Sequence, residues 1–407
     1  MGFQPYRQSF LRRLYTLSCW SLKLAACLAN PVLCCKYGEG LSIILIVPVI
    51  LVDAVGLYSR RRKGLTEVDM SQDQGSNSLV PSDEVVVIAV SDAESEDLLF
   101  TETAQGGNVY DLDDFEEATD VLDLTHGRFS QVPDLTRFQQ LKDLCLRQNL
   151  LTQISDFQSL VQLTTLDLYD NQIAKIEGLE SLVNLEHLDL SYNRIRKMEN
   201  LNCLPKLKIL YLVHNKITKI EGLENNTALE MLELGDNRIR AIENIEHLTK
   251  LGALFLGKNK ITRLQGVSTL ANLTQLSLPA NRLVKIEGLD SLTELEELYV
   301  SDNGILSISG LLKNTKLKML DLANNRISRI EGVKHLTELE DFWFNSNKLE
   351  SWQDLEDELQ PLPKLSTVYL EHNPIYKDNA YRRKVMVLLP QLSQIDAVVC
   401  RTSAAAF

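Results

Sequence analysis

The residues in this chain best suited to chemistry recur at one fixed interval. Cys145, Asp167, Asp189, Tyr211, Glu233, Phe255, Ser277, Tyr299, Asp321 and Trp343 follow one another every 22 positions, and Tyr369 closes the series after a step of 26. Five of the eleven are aromatic and four are acidic, an unusual choice for side chains facing solvent. One reading is that aromatic pairs on neighbouring strands stabilise a sheet. The reading we favour is a strip that grips another protein, because aligned rings beside carboxylates make interface hot spots. Glu297 and Asp341, two positions before Tyr299 and Trp343, add to the strip. Catalysis has no comparable signal. The six histidines (126, 187, 214, 247, 335 and 372) are scattered without metal-ligand spacing. There is neither a phosphate-cradling glycine loop nor a nucleophile elbow. A binding protein without enzymatic activity, metal, cofactor or small-molecule substrate is expected.

What positions the strip is an internal repeat. Asparagine recurs at Asn149, Asn171, Asn193, Asn215, Asn237, Asn259, Asn281, Asn303, Asn325 and Asn347, and then at Asn373. Each sits in the pattern L-x-x-L-x-L-x-x-N-x-[IL], as in Leu163-Thr-Thr-Leu166-Asp-Leu168-Tyr-Asp-Asn171-Gln-Ile173. This is the leucine-rich-repeat pattern. Leu166 and Leu168 alternate with Thr165, Asp167 and Tyr169, the period of a short strand with one buried face. Twenty-two residues leave no room for a full helix, so the return limb (Ile173 to Leu179) should be a turn or two of 3-10 type. No unit can bury its leucines alone. Stacked units share one core, and strands about 4.8 Å apart make eleven or twelve units a ribbon on the order of 50 Å long. The expected fold class is therefore α/β, a leucine-rich-repeat solenoid with a parallel concave sheet over residues 118–373 and a C-terminal cap over 374–407. The asparagines should bond backbone groups exposed where each strand turns. Glu177-Gly178, Glu221-Gly222, Glu287-Gly288 and Glu331-Gly332 read as turn chemistry on the return limb. Tyr381 to Leu389, stopped by Pro390, reads as a capping helix.

Charge divides the rest. The chain carries −13 overall, which argues against nucleic-acid binding. Residues 1–69 hold nine Lys/Arg against four Asp/Glu, whereas residues 70–123 hold fifteen Asp/Glu and no Lys or Arg. An acidic, disordered leader is expected over 70–117, with Ser91 and Ser95 as weak candidates for phosphorylation. Gly40–Val52 is an uncharged apolar run followed by Arg60-Arg-Arg-Lys63. Three readings compete for it: a membrane anchor, a signal peptide, or translated upstream sequence ahead of a protein beginning near Met70. Pro48 and Asp53 interrupt what would otherwise approach the ~20 residues of a span; the last reading is favoured, so membrane association is not expected. Four of the seven cysteines lie in the first 35 residues, and no cysteine-rich flank closes the repeats. A reducing compartment follows.

The phrases LCLRQNL, LDLYDNQI, MLELGDNRIRAIENI, LFLGKNKIT and LESWQDL, with the terminal YRRKVM and QIDA, resemble the protein phosphatase 1 regulatory subunit 7 family over about residues 118–402. That resemblance implies a leucine-rich regulator that holds the catalytic subunit of the Ser/Thr phosphatase in its concave face. Matched position by position, the contacts fall at Asp189, Tyr211, Glu233, Phe255, Asp321, Asp341, Trp343 and Tyr369. Tyr211 stands where the family has Phe and Asp341 where it has Glu, so ring and charge are kept. The resemblance further implies nuclear and cytoplasmic residence, phosphatase inhibitor-3 as a companion, and roles in phosphatase maturation, targeting and inhibition and in chromosome segregation. No [RK]-[VI]-x-[FW] docking string occurs in the chain, consistent with binding by a broad rigid face. The alternative is another intracellular leucine-rich adaptor, tethered to a membrane if residues 40–59 anchor it.

Overall fold

A strand of three residues forms once per repeat, because only the L-x-L stretch has a face to bury. The computed structural model describes residues 108–400 and the backbone of Thr101–Glu102. The expectations for residues 1–69, and for most of the acidic leader, lie outside the described residues. After a short antiparallel pair, β1 (Thr101–Glu102) and β2 (Asn108–Val109), come β3 (Val121–Asp123), β4 (Asp143–Cys145), β5 (Thr165–Asp167), β6 (His187–Asp189), β7 (Ile209–Tyr211), β8 (Met231–Glu233), β9 (Ala253–Phe255), β10 (Gln275–Ser277), β11 (Glu297–Tyr299), β12 (Met319–Asp321), β13 (Asp341–Trp343) and β14 (Thr367–Tyr369). These twelve run parallel in chain order. β15 (Gln394–Ile395) extends them and β16 (Val398–Val399) turns back, which completes a fourteen-stranded sheet.

The register is set by the middle residue of each strand. Leu144, Leu166, Leu188 and Leu210 face one another across the ladder and are buried to 1% exposure or less, as are their equivalents through Val368. Return limbs add a second apolar wall. In one repeat Leu182 N donates to Leu179 O and Leu185 N to Leu182 O, both at 3.0 Å. Each limb thus makes two single i→i+3 turns end to end. These follow Leu179 and lie outside the Ile173 to Leu179 stretch where 3-10-type structure was expected, which makes no i→i+3 bond of its own. Burying one such leucine is worth about 1.5–3 kcal/mol, and one continuous core runs from Leu122 to Cys400.

Asparagines tie the repeats together. Asn193 Nδ2 donates to Leu168 O (2.9 Å) and Leu190 O (3.1 Å), while its Oδ1 accepts from Ile173 N (2.9 Å). The preceding residue is held at positive φ in each turn, 55° at Tyr192 and 52° at Asp236. The glycines of the Glu-Gly pairs serve a second such corner. Gly222 has φ 75°, and a Cβ there would lie 2.7 Å from Met198 O. Where Asn244 holds the same place (φ 59°), its Nδ2 turns back to donate to Ile220 O at 2.7 Å.

Both open edges are covered. Residues 110–117, read from sequence as part of the disordered leader, fold onto the first repeat. Tyr110 stacks on Phe129 (6.0 Å between centroids) and donates to Thr125 O, while Arg137 donates to the carbonyls of Leu112 and Phe115. Leu112 and Phe115 pack against the core, which supplies the apolar contact that the acidic composition concealed. At the other end the 26-residue step is taken up by a single wide turn, Leu355–Leu359. The helix α1 (Tyr381–Leu388) then crosses the edge. Tyr381 donates to Asp396, whose Oδ1 accepts from Leu370 N (2.8 Å) and Glu371 N (3.0 Å). Among the described residues no helix is long and apolar enough to cross a membrane.

Candidate partner-binding face

The last residue of each strand points away from the leucines, so these residues form one line across the sheet. Register pairs Asp167 with Asp189, Asp189 with Tyr211, Tyr211 with Glu233 and Glu233 with Phe255. Further along, Tyr299 pairs with Asp321, Asp321 with Trp343 and Trp343 with Tyr369. The candidate residues Asp189, Tyr211, Glu233, Phe255, Asp321, Trp343 and Tyr369 are therefore consecutive rungs of one ladder, with Ser277 and Tyr299 between them. Asp341 lies in the adjacent column, opposite Met319 and Thr367. Trp343 and Tyr369 meet edge to face, with centroids 5.6 Å apart. None of the seven enters the leucine core. All are half-buried except Asp321, which is covered.

Burial between neighbouring rungs strips water from the carboxylates, with rings on both sides of Glu233 and Asp321 and on one side of Asp189. Glu233 lies between Tyr211 and Phe255; burial, and then the charge of Asp189, push its carboxyl up to about 7. Burial, followed by the neighbouring Asp167, raises Asp189 to about 6. Asp321, flanked by Tyr299 and Trp343, is raised to about 6 by burial. Desolvation of a carboxylate without a compensating cation is unfavourable, so these acids are poised to gain from a basic partner. One cation is already supplied at the edge of the row: Arg147 pairs with Asp167 at 2.9 Å and lies over the Tyr169 ring at 4.2 Å.

The acids also have an internal task that the sequence did not disclose. Asp189 Oδ1 accepts from Ser191 N (2.8 Å), and Asp167 and Asp321 accept in the same way from Tyr169 N and Ala323 N (3.0 Å each). Each caps the backbone two residues on as its strand ends. Asp321, covered and engaged in this way, offers almost no surface for direct contact. Glu297 accepts from the Tyr299 hydroxyl and from Gln275 Nε2, both at 2.8 Å. The Trp343 Nε1 is buried with no hydrogen-bond partner among the described residues.

A second aromatic row lies at the rim. Tyr169 and Tyr192 approach to 4.9 Å, Tyr192 stacks on His214 at 4.7 Å, and His214 Nδ1 meets Asp236 Oδ2 at 2.6 Å. Sequence inspection of the strand column alone missed it. The signal was available in the two columns immediately before each asparagine.

Comparison with known proteins agrees with this architecture. Descriptions of leucine-rich repeats match at residues 139–181 and 183–225 (two copies each), 205–261 and 297–404. A stretch of 53 residues is 60% identical to protein phosphatase 1 regulatory subunit 7 of Homo sapiens, covering 13% of this chain and 14% of that protein. A stretch of 55 residues is 56% identical to protein phosphatase 1 regulatory subunit SDS22 of Schizosaccharomyces pombe, covering 13% and 17%. The chain thus spans about one-seventh of the length of the curated relatives it matches. Among solved structures, an internalin of Listeria monocytogenes superposes with a TM-score of 0.56 at 25% identity, covering 69% of this chain and 87% of that one. The functional domain of a second Listeria internalin gives 0.54 at 25% identity, covering 64% and 54%. These two likenesses bear on the fold alone.

Proposed function

We propose that this chain, which belongs to the leucine-rich-repeat proteins, is a regulatory subunit that binds the catalytic subunit of Ser/Thr protein phosphatase 1 in its concave face. It is a protein-interaction scaffold and not an enzyme. The observation that carries the proposal is the 60% identity, over 53 residues, to a protein named as a regulatory subunit of that phosphatase. The ladder of rings and carboxylates supplies a face suited to the task. A lysine or arginine docking at Glu233 would meet its carboxylate with Tyr211 and Phe255 on the adjacent strands. Because the strands are fixed by the core, little conformational freedom is lost on docking. On this reading the protein controls phosphatase maturation, targeting or activity in the nucleus and cytoplasm, with phosphatase inhibitor-3 as companion and a bearing on chromosome segregation.

The test is capture of the purified catalytic subunit by the full chain and by its Trp343→Ala and Phe255→Ala variants. Each substitution should weaken binding by about 2 kcal/mol, some 30-fold, as loss of an interface aromatic does. Neither should lower stability much, since both side chains lie outside the leucine core. Undiminished capture by both variants would overturn the assignment of the face.

A further inference from the structure

Beside the acidic hollow runs a row of opposite sign. The residue after each asparagine is Arg194, Lys216, Arg238, Lys260 and Arg282 in five successive repeats, bounded by Gln172 before and Gly304 after. Each of the five amides donates to a carbonyl of the preceding repeat, Ile173, Ile195, Ile217, Ile239 and Ile261 in turn, all at 2.8 Å. This backbone ladder holds the cations at the spacing of the strands, so five of them span about 19 Å at 4.8 Å per repeat. Arg194, Arg238 and Arg282 are exposed, and Lys216 and Lys260 are half-buried.

The row is not neutralised internally. Three residues further along each limb, Lys197, Lys219 and Lys285 pair with Glu199, Glu221 and Glu287. Among the described residues no ion pair engages any of the five row cations. Like charges set side by side on neighbouring repeats oppose folding, as they do on neighbouring strands, and here the pattern repeats five times in a chain of net charge −13. Taken over residues 192–199, 214–221, 236–243, 258–265 and 280–287, twelve Lys/Arg face five Asp/Glu. The acids of those segments border the line: Asp236 on the hollow side, and Glu199, Glu221, Glu243 and Glu287 on the outer side. With Glu199, Glu221 and Glu287 engaged by the lysines two residues before them, the line of cations is left as a narrow positive strip that an extended polyanion can follow.

We propose that this row is a docking site for an extended acidic peptide segment of a partner protein. An extended chain rises about 3.3 Å per residue, so six or seven residues cover the row. The site is separate from the concave ladder and does not depend on the identity of the protein held there.

The test uses a fluorescein-labelled octaglutamate peptide and the full chain, with binding read by fluorescence polarisation. Saturable binding is expected that weakens several-fold between 50 and 200 mM salt. The triple variant Arg194→Ser/Arg238→Ser/Arg282→Ser, with its thermal unfolding checked against wild type, should bind at least tenfold more weakly. Trp343→Ala should bind as wild type. The proposal fails if the triple variant retains wild-type affinity or if Trp343→Ala abolishes binding, which would put the peptide in the hollow. It fails equally if a ten-nucleotide thymidine oligomer binds more tightly than octaglutamate.

Discussion

Replacing Glu233 by Gln should stabilise the fold in alkaline solution and weaken capture of the partner, two effects of opposite sign from one carboxylate. In the folded chain the group titrates near 7, raised from 4.5 by burial between Tyr211 and Phe255 and by the charge of Asp189. Below pH 4.5 it is neutral in both folded and unfolded states and costs nothing. Between 4.5 and 7 the unfolded chain releases the proton while the folded chain retains it, so the unfolded state is favoured increasingly with pH. Above 7 the penalty is complete. The gap from 4.5 to about 7 corresponds to about 3 kcal/mol. A half-buried group is partly screened by water, so a gain on the order of 2 kcal/mol is expected for Glu233→Gln at pH 8. Urea unfolding of both proteins at pH 4 and pH 8, followed by circular dichroism, measures the difference. The midpoints should coincide at pH 4 and separate at pH 8, with the variant the more stable. A gain of equal size at both pH values, or a loss at pH 8, would refute the desolvation reasoning. Partner capture at pH 8 should meanwhile fall, because the variant no longer offers charge to a cation.

Other perturbations address the scaffold. Leu166→Ala should cost about 2–5 kcal/mol by leaving a cavity in a fully buried position, read as a lower urea midpoint. Asn215→Ala removes the partner of Leu190 O (2.9 Å), Leu212 O (3.2 Å) and Ile195 N (2.9 Å). The loss should be about 2–4 kcal/mol, with hydrogen exchange accelerated first at Ile195 and the adjoining repeats. Gly222→Ala should lower stability by at least about 1–2 kcal/mol, through its left-handed φ and through the approach of the new Cβ to Met198 O at 2.7 Å. Gly222→Asn should recover part of that loss, because Asn244 already fills the equivalent corner in the next repeat.

The fold was legible because a repeat states the same instruction many times. Leu166, Leu168 and Asn171 each recur at equivalent positions, so period, strand and core face could be read from alignment of the chain with itself. The column of rings was legible for the same reason. What escaped was whatever depends on neighbours in the next repeat. That Asp189 caps Ser191 while lying buried between Asp167 and Tyr211, or that Asp321 ends up covered, follows from cross-strand placement and from no feature of a single motif. The capping of the first edge by Tyr110, Leu112 and Phe115 was hidden by the acidic residues around them.

Columns explain why one chain can present two surfaces of opposite sign a few residues apart. In a solenoid, a residue type favoured at one motif position becomes a straight line at the strand spacing, so small sequence biases become extended fields. The acids and rings four residues before the asparagines line the hollow, while the cations one residue after five of them line the flank. Both arrangements set like charges or desolvated acids in register, and neither lowers the energy of the isolated chain. The leucine core and the asparagine ladder must therefore supply the surplus that holds them. Conversely, a single inserted residue between Leu190 and Asn193 would shift the strand that carries Asp189 against the turn that carries Arg194. It would break both lines at once, although the core lost only one rung.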